Sequence, residues 1–167
     1  MNLKTKLKIA KKTWKDCGPK SFFNLGFNYF TMTSTPDKVF TKPLYIQIEP
    51  TLNCNLKCKM CYGTYKKRPC KDMTFEDYKK TIDQFPSSVT IHLQGLGEPF
   101  LHKDVFKMIQ YTKFKKLNIG LTTNATLITD SIIDKILESK LDYLEISMDG
   151  ATAKTYEDIR AGANFKV

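Results

Sequence analysis

Short apolar stretches typical of strands alternate with amphipathic helix patterns from Pro43 to the end of the sequence. The strand patterns lie within residues 44–49, 89–94, 117–122 and 141–148. The helix patterns lie within 74–85, 103–115 and 129–139, with a last helix beginning near Thr152. Thr74 and Thr129 are predicted to cap the first and third of these helices. Strands that alternate with helices in this way are typical of parallel βα units. The expected fold class is therefore α/β.

The spacing of apolar residues also predicts which side chains of two helices face the core. The predicted inward residues are Val105, Phe106, Ile109 and Tyr111 in one helix, and Ile132, Ile133, Ile136 and Leu137 in the next.

Cysteine, glycine and polar residues that could form a functional site lie at or directly after the ends of the four predicted strands. A cysteine-rich loop, 54–61, follows the first strand, and the glycine-rich segment 95–99 follows the second. The segment 122–124 ends the third strand, and 147–150 ends the fourth. In a βα barrel, the carboxyl ends of the strands form the face on which active sites are built. We therefore expect one functional site at that face.

Three cysteines on the first loop are spaced C-x3-C-x2-C, at Cys54, Cys58 and Cys61. Structural zinc sites usually have four ligands in a tetrahedron, and a cubane iron–sulfur cluster has four irons to ligate. In a cluster, three cysteines would leave one iron open to a substrate or cofactor. The alternative is a structural zinc site with Cys70 or His92 as the fourth ligand.

The remaining cysteines and the composition favour a protein of a reducing compartment. Five cysteines, three of them on one loop, do not suggest a disulfide framework, so we expect a cytoplasmic protein in which Cys17 and Cys70 are free thiols. No apolar run reaches the roughly 18 residues of a membrane span, and the N-terminus lacks the features of a secretory signal. Within its strand, His92 is expected to be a buried structural histidine.

The cysteine motif and three later segments resemble the radical S-adenosylmethionine (SAM) family, including members with a C-terminal SPASM extension. GLGEP, 95–99, resembles the family's Gly-Gly-Glu-Pro segment, and TTNAT, 122–126, resembles its third-strand segment. ISMDG, 146–150, followed by TYEDIR, 155–160, resembles the fourth-strand segment near the ribose. The resemblance covers about residues 44–166. It implies a partial (β/α) TIM-like barrel, of which about four βα units are present.

This resemblance implies a chemistry and a set of ligands. Cys54, Cys58 and Cys61 would hold a [4Fe–4S] cluster whose open iron is chelated by SAM. One electron from an external donor would cleave SAM to methionine and a 5′-deoxyadenosyl radical, which abstracts a hydrogen atom from the substrate. For a member with a SPASM extension, the resemblance implies a peptide or protein substrate. The implied SAM-binding positions are Gly95, Gly97, Glu98, Pro99, Thr122, Asn124, Ser147, Asp149 and Arg160.

Plainer interpretations of these positions stay open at this point. Gly95 and Gly97 could form an ordinary βα turn, and Thr122 and Asn124 could simply end a strand and open a turn. Arg160 could be a surface residue. The alternative function is a zinc-binding, non-catalytic module with a basic arm that contacts nucleic acid or a membrane.

The number of βα units is smaller than the resemblance leads us to expect. The family's barrel usually has six units, and SPASM members add a further domain, whereas this sequence carries four strand patterns. We therefore expect a truncated or partial gene product whose fourth strand is an open edge. By itself it should be poorly soluble or dimeric, and catalytically weak.

Residues 1–42 form a basic and aromatic extension before the domain that we assign to 43–167. The extension contains nine lysines and two aspartates, a net charge of +7 out of +10 for the whole chain. Apolar residues at helical spacing, Leu3, Leu7, Ala10 and Trp14, predict a first helix that stops at Cys17-Gly18-Pro19. The aromatic segment SFFNLGFNYF is the second element, and residues 33–42 are a linker into the domain.

The basic helix has three interpretations. It could dock on the barrel through its Leu and Trp face, contact an anionic membrane surface, or contact an acidic peptide or nucleic acid. We favour docking, and nucleic acid is not an expected partner.

Overall fold

The computed structural model of the chain describes residues 2–34, 37–65 and 71–166. Within these ranges, all the predicted strands and helices form. The elements are α1 (Leu3–Ser34), β1 (Tyr45–Ile48), α2 (Tyr62–Tyr65), α3 (Phe75–Asp83), β2 (Thr90–Leu93), a 3-10 turn (Pro99–Leu101), α4 (Val105–Phe114), β3 (Asn118–Thr123), α5 (Asp130–Ser139), β4 (Tyr143–Ile146) and α6 (Ala153–Ile159). Cys70 and part of the predicted 33–42 linker lie outside the described residues.

The four strands form one parallel sheet in the order β1-β2-β3-β4. The α/β class is therefore confirmed, and the arrangement fits part of a barrel. Among the described residues the sheet has two unpaired edges, β1 and β4, and the Ile146 and Met148 side chains beside the second edge are exposed. This matches the expected open edge, and parallel pairing brings the carboxyl ends of all four strands to the same side.

Helices α3 and α4 cover one face of the sheet with apolar side chains. Helix α3 begins at the predicted cap, where the Asp77 amide donates to Thr74 Oγ1 at 3.1 Å. In α4, the predicted core residues Val105 and Ile109 are fully buried. Met108, which the prediction omitted, is buried beside them. The core around the sheet consists of Ile48, Tyr78, Ile82, Ile91, Leu93, Val105, Met108, Ile109, Leu117, Ile119 and Leu121.

The prediction for α5 is wrong at two positions. Ile132 and Ile136 are half-buried, but Ile133 and Leu137 are exposed, Leu137 by 71%. Helix α5 lies beside the open edge of the sheet, and no described residue covers the side that carries these two side chains. Periodicity predicts that these four side chains lie near one another on the helix. It does not show whether another element covers them, and only two of the four are partly covered.

Helix α1 changes direction at the predicted stop. Gly18 has a φ of 80°, in the left-handed region, and Pro19 begins the second helical segment. The helix therefore consists of two segments, 3–17 and 19–34, rather than ending at Gly18. Lys6 of the first segment contacts the Tyr29 hydroxyl of the second, so the two segments fold back on each other.

The predicted docking face of α1 is wrong, although the helix does dock. Ser21 Oγ donates to the Ser88 carbonyl at 2.7 Å, and Asn24 Nδ2 donates to the Ser87 carbonyl at 2.9 Å. These carbonyls lie just before β2, at the amino end of the sheet, where unpaired backbone groups need partners. Polar side chains satisfy them, and the Leu and Trp face stays outside, with Leu3 exposed by 71% and Trp14 by 52%.

No helix in the described part of the chain is both long enough and apolar enough to span a bilayer.

Candidate functional site

A pocket opens at the carboxyl ends of the four strands, where the sequence predicts a functional site. It is lined by Cys54, Leu56, Cys58, Met60, Cys61, Gln94, Gly95, Leu96, Gly97, Glu98, Thr122, Thr123, Asn124, Ser147 and Arg160. The lining includes the three motif cysteines and all the predicted SAM-binding positions except two. Pro99 is buried at the start of the 3-10 turn, and Asp149 reaches the site through an ion pair with Arg160.

The cysteine loop is held against the end of helix α6 by backbone hydrogen bonds. The amides of Lys57 and Lys59 donate to the carbonyls of Ala161 and Ile159, each at 2.9 Å. Because Arg160 lies between these two acceptors, the same contact brings its side chain to the cysteine pocket. Sequence reasoning missed this connection, and nothing in the spacing of the motifs indicates it.

The cysteine loop also packs against the loop after β2, at Gly97. The neighbouring Glu98 amide donates to the Asn53 carbonyl at 2.8 Å. A Cβ atom on Gly97 would lie 2.1 Å from the carbonyl oxygen of Thr51. Any side chain at this position would therefore push the two loops apart. Contact between the loops requires glycine here, whatever ligand the pocket takes.

The three motif thiols differ in exposure. Cys58 is buried, Cys61 is half-buried and Cys54 is exposed. Desolvation raises the pKa of the Cys54 and Cys58 thiols above the usual value, and the positive charge of Arg160 partly opposes this at Cys58. A thiolate ligand must lose this proton when a metal binds.

No three Cys, His, Asp or Glu side chains of the described residues converge closely enough to hold a single metal ion. Structural zinc requires such convergence, with sulfur ligands about 2.3 Å from one ion, and Cys70, a candidate fourth ligand, lies outside the described residues. A cubane binds each thiolate at a separate iron, so its ligands need not converge on one point.

Glu98 is buried, and its carboxylate is engaged within the protein. Oε1 accepts from Thr123 Oγ1 at 2.7 Å and from the Phe100 amide at 3.3 Å. Oε2 accepts from the Asn124 amide at 2.8 Å. The carboxylate thus joins the loop after β2 to the end of β3.

Asn124 belongs to a ring of polar side chains beside the first cysteine. Its Nδ2 donates to Asn55 Oδ1 at 3.0 Å and lies 4.0 Å from Cys54 Sγ. Its Oδ1 accepts from Thr126 Oγ1 at 2.7 Å, and Asn55 Nδ2 donates to the same threonine hydroxyl at 2.7 Å. Sequence reasoning did not single out Asn55. The TTNAT segment was the one signal for Thr126.

Thr122 is engaged on the sheet face opposite the helices. His92 Nε2 is 2.7 Å from Thr122 Oγ1, and that hydroxyl donates to Glu145 Oε2 at 3.1 Å. His92 Nδ1 is 3.0 Å from the Tyr143 hydroxyl, and burial lowers the pKa of His92. The expectation of a buried structural histidine is therefore confirmed. Both ring nitrogens are occupied, which leaves none for the zinc site of the alternative interpretation.

Arg160 is a largely covered residue of the site rather than a surface arginine. Its side chain is 11% exposed, and its guanidinium forms an ion pair with Asp149 Oδ2 at 2.6 Å. Its Nε atom is buried and has no hydrogen-bond partner among the described residues. An unpaired buried donor costs about 1–3 kcal/mol. Nε is therefore a donor beside the pocket that the described residues leave unpaired.

Comparisons with known proteins agree with this geometry. The model of the Radical SAM superfamily matches residues 48–167. The AdoMet-dependent heme synthase of Methanosarcina barkeri is 34% identical over 120 residues, which are 71% of this chain and 34% of that protein. The antilisterial bacteriocin subtilosin biosynthesis protein AlbA of Bacillus subtilis is 30% identical over 135 residues, 78% of this chain and 30% of that protein. The chain thus spans about a third of the length of these relatives.

A solved structure shares the fold. Streptococcus suis SuiB bound to precursor peptide SuiA superimposes with a TM-score of 0.63 and 23% sequence identity, over 73% of this chain and 28% of that chain. The family match covers most of the sequence, including the cysteine motif. The chain therefore belongs to the radical SAM superfamily, whose enzymes use a [4Fe–4S] cluster and SAM.

Proposed function

We propose that this chain binds a [4Fe–4S] cluster through Cys54, Cys58 and Cys61, and binds SAM beside it, as part of a radical SAM enzyme. The observation that carries the proposal is one pocket at the carboxyl ends of the four parallel strands, lined by the three motif cysteines and by Arg160. The donors fit, because soft thiolates suit iron–sulfur clusters. When bound, the cofactors supply reductive cleavage of SAM and hydrogen abstraction from a substrate.

We assign the carboxylate of SAM to the Arg160 guanidinium, which lines the pocket and whose Nε has no partner among the described residues. The ion pair with Asp149 holds the guanidinium at the pocket, so Asp149 acts as a positioning residue. Ser147 lines the same pocket, and its hydroxyl is proposed to reach the ribose of SAM.

The remaining predicted positions shape the pocket in this proposal. Gly97 allows the cysteine loop to approach, and Glu98 and Asn124 hold the strand ends in place. Gly95 is assigned a backbone contact with SAM, Pro99 stiffens the turn after β2, and Thr122 forms part of the pocket wall.

A peptide or protein is the proposed substrate. AlbA is named for the biosynthesis of subtilosin, and SuiB was solved with a precursor peptide, which supports a substrate of this class. An external reductant supplies the electron, and a reducing cytoplasm keeps the thiols available. The division into an extension, 1–42, and a barrel portion, 43–167, is part of the same proposal.

The proposal is tested by anaerobic reconstitution with iron and sulfide, followed by iron analysis and low-temperature EPR of the reduced protein with and without SAM. We expect about four irons per chain and a reduced signal that changes when SAM is added. Cys58→Ser should lose most of the iron. Cys17→Ser, which removes a buried thiol far from the pocket, is the matched control and should keep it.

Arg160→Gln separates cluster binding from SAM binding. We expect full iron content and a SAM affinity at least tenfold weaker, about the effect of one lost charge-assisted hydrogen bond. A colourless protein that takes up one zinc instead would contradict the cluster assignment and support the zinc-binding alternative. A cluster whose signal ignores SAM in the parent protein would contradict the SAM site alone.

A further inference from the structure

The second segment of helix α1 carries two separate stripes of side chains. Ser21, Asn24 and Asn28 face the protein, and their side chains donate to backbone carbonyls at 2.7–3.1 Å. Phe23, Phe27 and Phe30, which we call the aromatic ridge, recur at helical spacing and are exposed by 59%, 63% and 65%. Residues three, four and seven apart share a face of a helix, and the spacing of the two sets places them about 120° apart around the helix axis. The ridge therefore points away from the protein.

The first segment of α1 adds to the same surface. It folds back on the second segment, with the Trp14 and Phe22 rings edge to face at a centroid distance of 5.2 Å. Leu3, Leu7 and Trp14 remain mostly exposed beside this contact. An apolar surface of this extent on a soluble domain usually marks an interaction site.

The charge around this surface is strongly positive. The extension has nine lysines against two aspartates, and residues 19–34 contain no acidic side chain. Six of the lysines in the first twenty residues are exposed: Lys4, Lys8, Lys11, Lys12, Lys15 and Lys20. A partner for this surface must therefore offer both apolar contact and negative charge.

We propose that helix α1 docks on the surface of an anionic lipid bilayer. The aromatic ridge enters the boundary between headgroups and acyl chains, and the surrounding lysines contact anionic headgroups. A second copy of the chain would bring two surfaces of the same charge together. Nucleic acid would satisfy the lysines, but it offers no apolar layer for a continuous ridge of helix side chains.

The position of α1 in the fold makes this docking compatible with the pocket. Ser21 and Asn24 hold α1 at the amino end of the sheet, and the pocket opens at the carboxyl ends of the strands. A bilayer on the outer side of α1 therefore leaves the pocket open to the aqueous phase. The proposal does not depend on which cofactor the pocket takes.

The test is cosedimentation of the full chain with vesicles of phosphatidylcholine, with and without phosphatidylglycerol, while tryptophan emission is recorded. Trp14 is the single tryptophan and lies in the proposed surface, so it reports insertion without any substitution. We expect binding and a blue shift of its emission with anionic vesicles, and neither with phosphatidylcholine alone.

Two sets of variants separate the apolar and electrostatic parts. The triple variant Phe23→Asn, Phe27→Asn, Phe30→Asn should weaken binding about a hundredfold. Phe114→Asn, which removes a phenylalanine on α4 that is exposed by 78%, should not weaken it. Lys4→Gln, Lys8→Gln and Lys11→Gln should each cost about fivefold, whereas the exposed Lys135→Gln should cost nothing.

Absence of binding to anionic vesicles would overturn the proposal. So would binding that the ridge variant and Phe114→Asn weaken equally. A dimer that depends on the ridge while vesicles stay unbound would assign the surface to a second copy. Salt-sensitive RNA binding that the ridge variant leaves unchanged, again without vesicle binding, would assign the lysines to nucleic acid.

Discussion

Helices α1 and α4 pack against the same sheet, but they bury opposite kinds of side chains. Helix α4 buries Met108 and Ile109 on a face of the sheet, where neighbouring side chains are apolar. Helix α1 buries Thr13, Cys17 and Ser21 at the amino end of the sheet, where backbone carbonyls are exposed. Packing on a sheet face stabilises the fold by removing apolar surface from water. A sheet end requires hydrogen-bond donors.

The consequence is that amphipathic patterns have different meanings in the two regions. In α4 the apolar stripe marks the inside. In α1 the apolar stripe marks the outside, and a less conspicuous stripe of serine and asparagine marks the inside. Asn24 illustrates this, because its side-chain Nδ2 donates to the Lys42 carbonyl at 3.0 Å and its Oδ1 accepts from the Lys42 backbone amide at 3.1 Å.

The sharpest test of the comparison is truncation of one apolar side chain in each helix. Ile109→Ala should lower the free energy of unfolding by about 2–5 kcal/mol, because it leaves a cavity in the core. Phe27→Ala should change it by less than about 0.5 kcal/mol, since that ring is exposed. Urea denaturation followed by circular dichroism measures both. Similar losses for the two variants would mean that α1 also buries its aromatic stripe.

A glycine in each region gives the next largest contrast. Gly97→Ala should lower the free energy of unfolding by about 1–3 kcal/mol, because the new Cβ meets backbone atoms of the cysteine loop. It should also reduce iron retention after reconstitution. Gly26→Ala, in α1, meets open space and should raise stability by about 0.5–1 kcal/mol. Unchanged stability in Gly97→Ala would mean that the two loops do not touch as closely as described.

The polar docking stripe of α1 should respond to the loss of one hydrogen bond. Ser21→Ala should cost about 1 kcal/mol of unfolding free energy, because the Ser88 carbonyl loses its donor. The control is Ser34→Ala at the exposed end of the same helix, which should be neutral. If Ser21→Ala were stabilising, α1 would be held by apolar contact after all.

The smallest expected effect is a pH dependence through His92. Burial lowers the pKa of His92 in the folded protein, whereas in the unfolded chain the pKa stays at its ordinary value of about 6.5. Between these two pKa values, the unfolded chain therefore binds more protons than the folded protein does. Stability should therefore be highest above that value and fall as the pH drops towards the folded pKa. Urea midpoints between about pH 7.5 and 5.5 measure the slope, and His92→Asn should flatten it. An unchanged slope in His92→Asn would assign the dependence to other groups.

Most of the fold could be predicted because its signals are local. Strand and helix patterns located the βα units, and Thr74 and Thr129 were recognised as helix caps, with Thr129 Oγ1 accepting from the Ile132 amide at 3.4 Å. The candidate site was also predictable in outline. Parallel strands bring their carboxyl ends together, so residues that follow each strand must meet.

The details of the site could not be predicted, because they depend on contacts between distant segments. Glu98 was expected to bind SAM and it lines the pocket, but nothing in the sequence indicates that its carboxylate joins two strand ends. Backbone hydrogen bonds join the cysteine loop to the end of α6 and bring Arg160 to the pocket, and no sequence pattern in either segment predicts them.

The sequence by itself determined the α/β alternation, the three-cysteine motif and the charge of the extension, since each is a property of residue order and composition. Only the tertiary structure decided which stripe of α1 is buried and which residues of the site are engaged within the protein. Periodicity specifies which side chains share a face. What that face meets is set by the surface it packs against, and in α1 that surface is an array of backbone carbonyls.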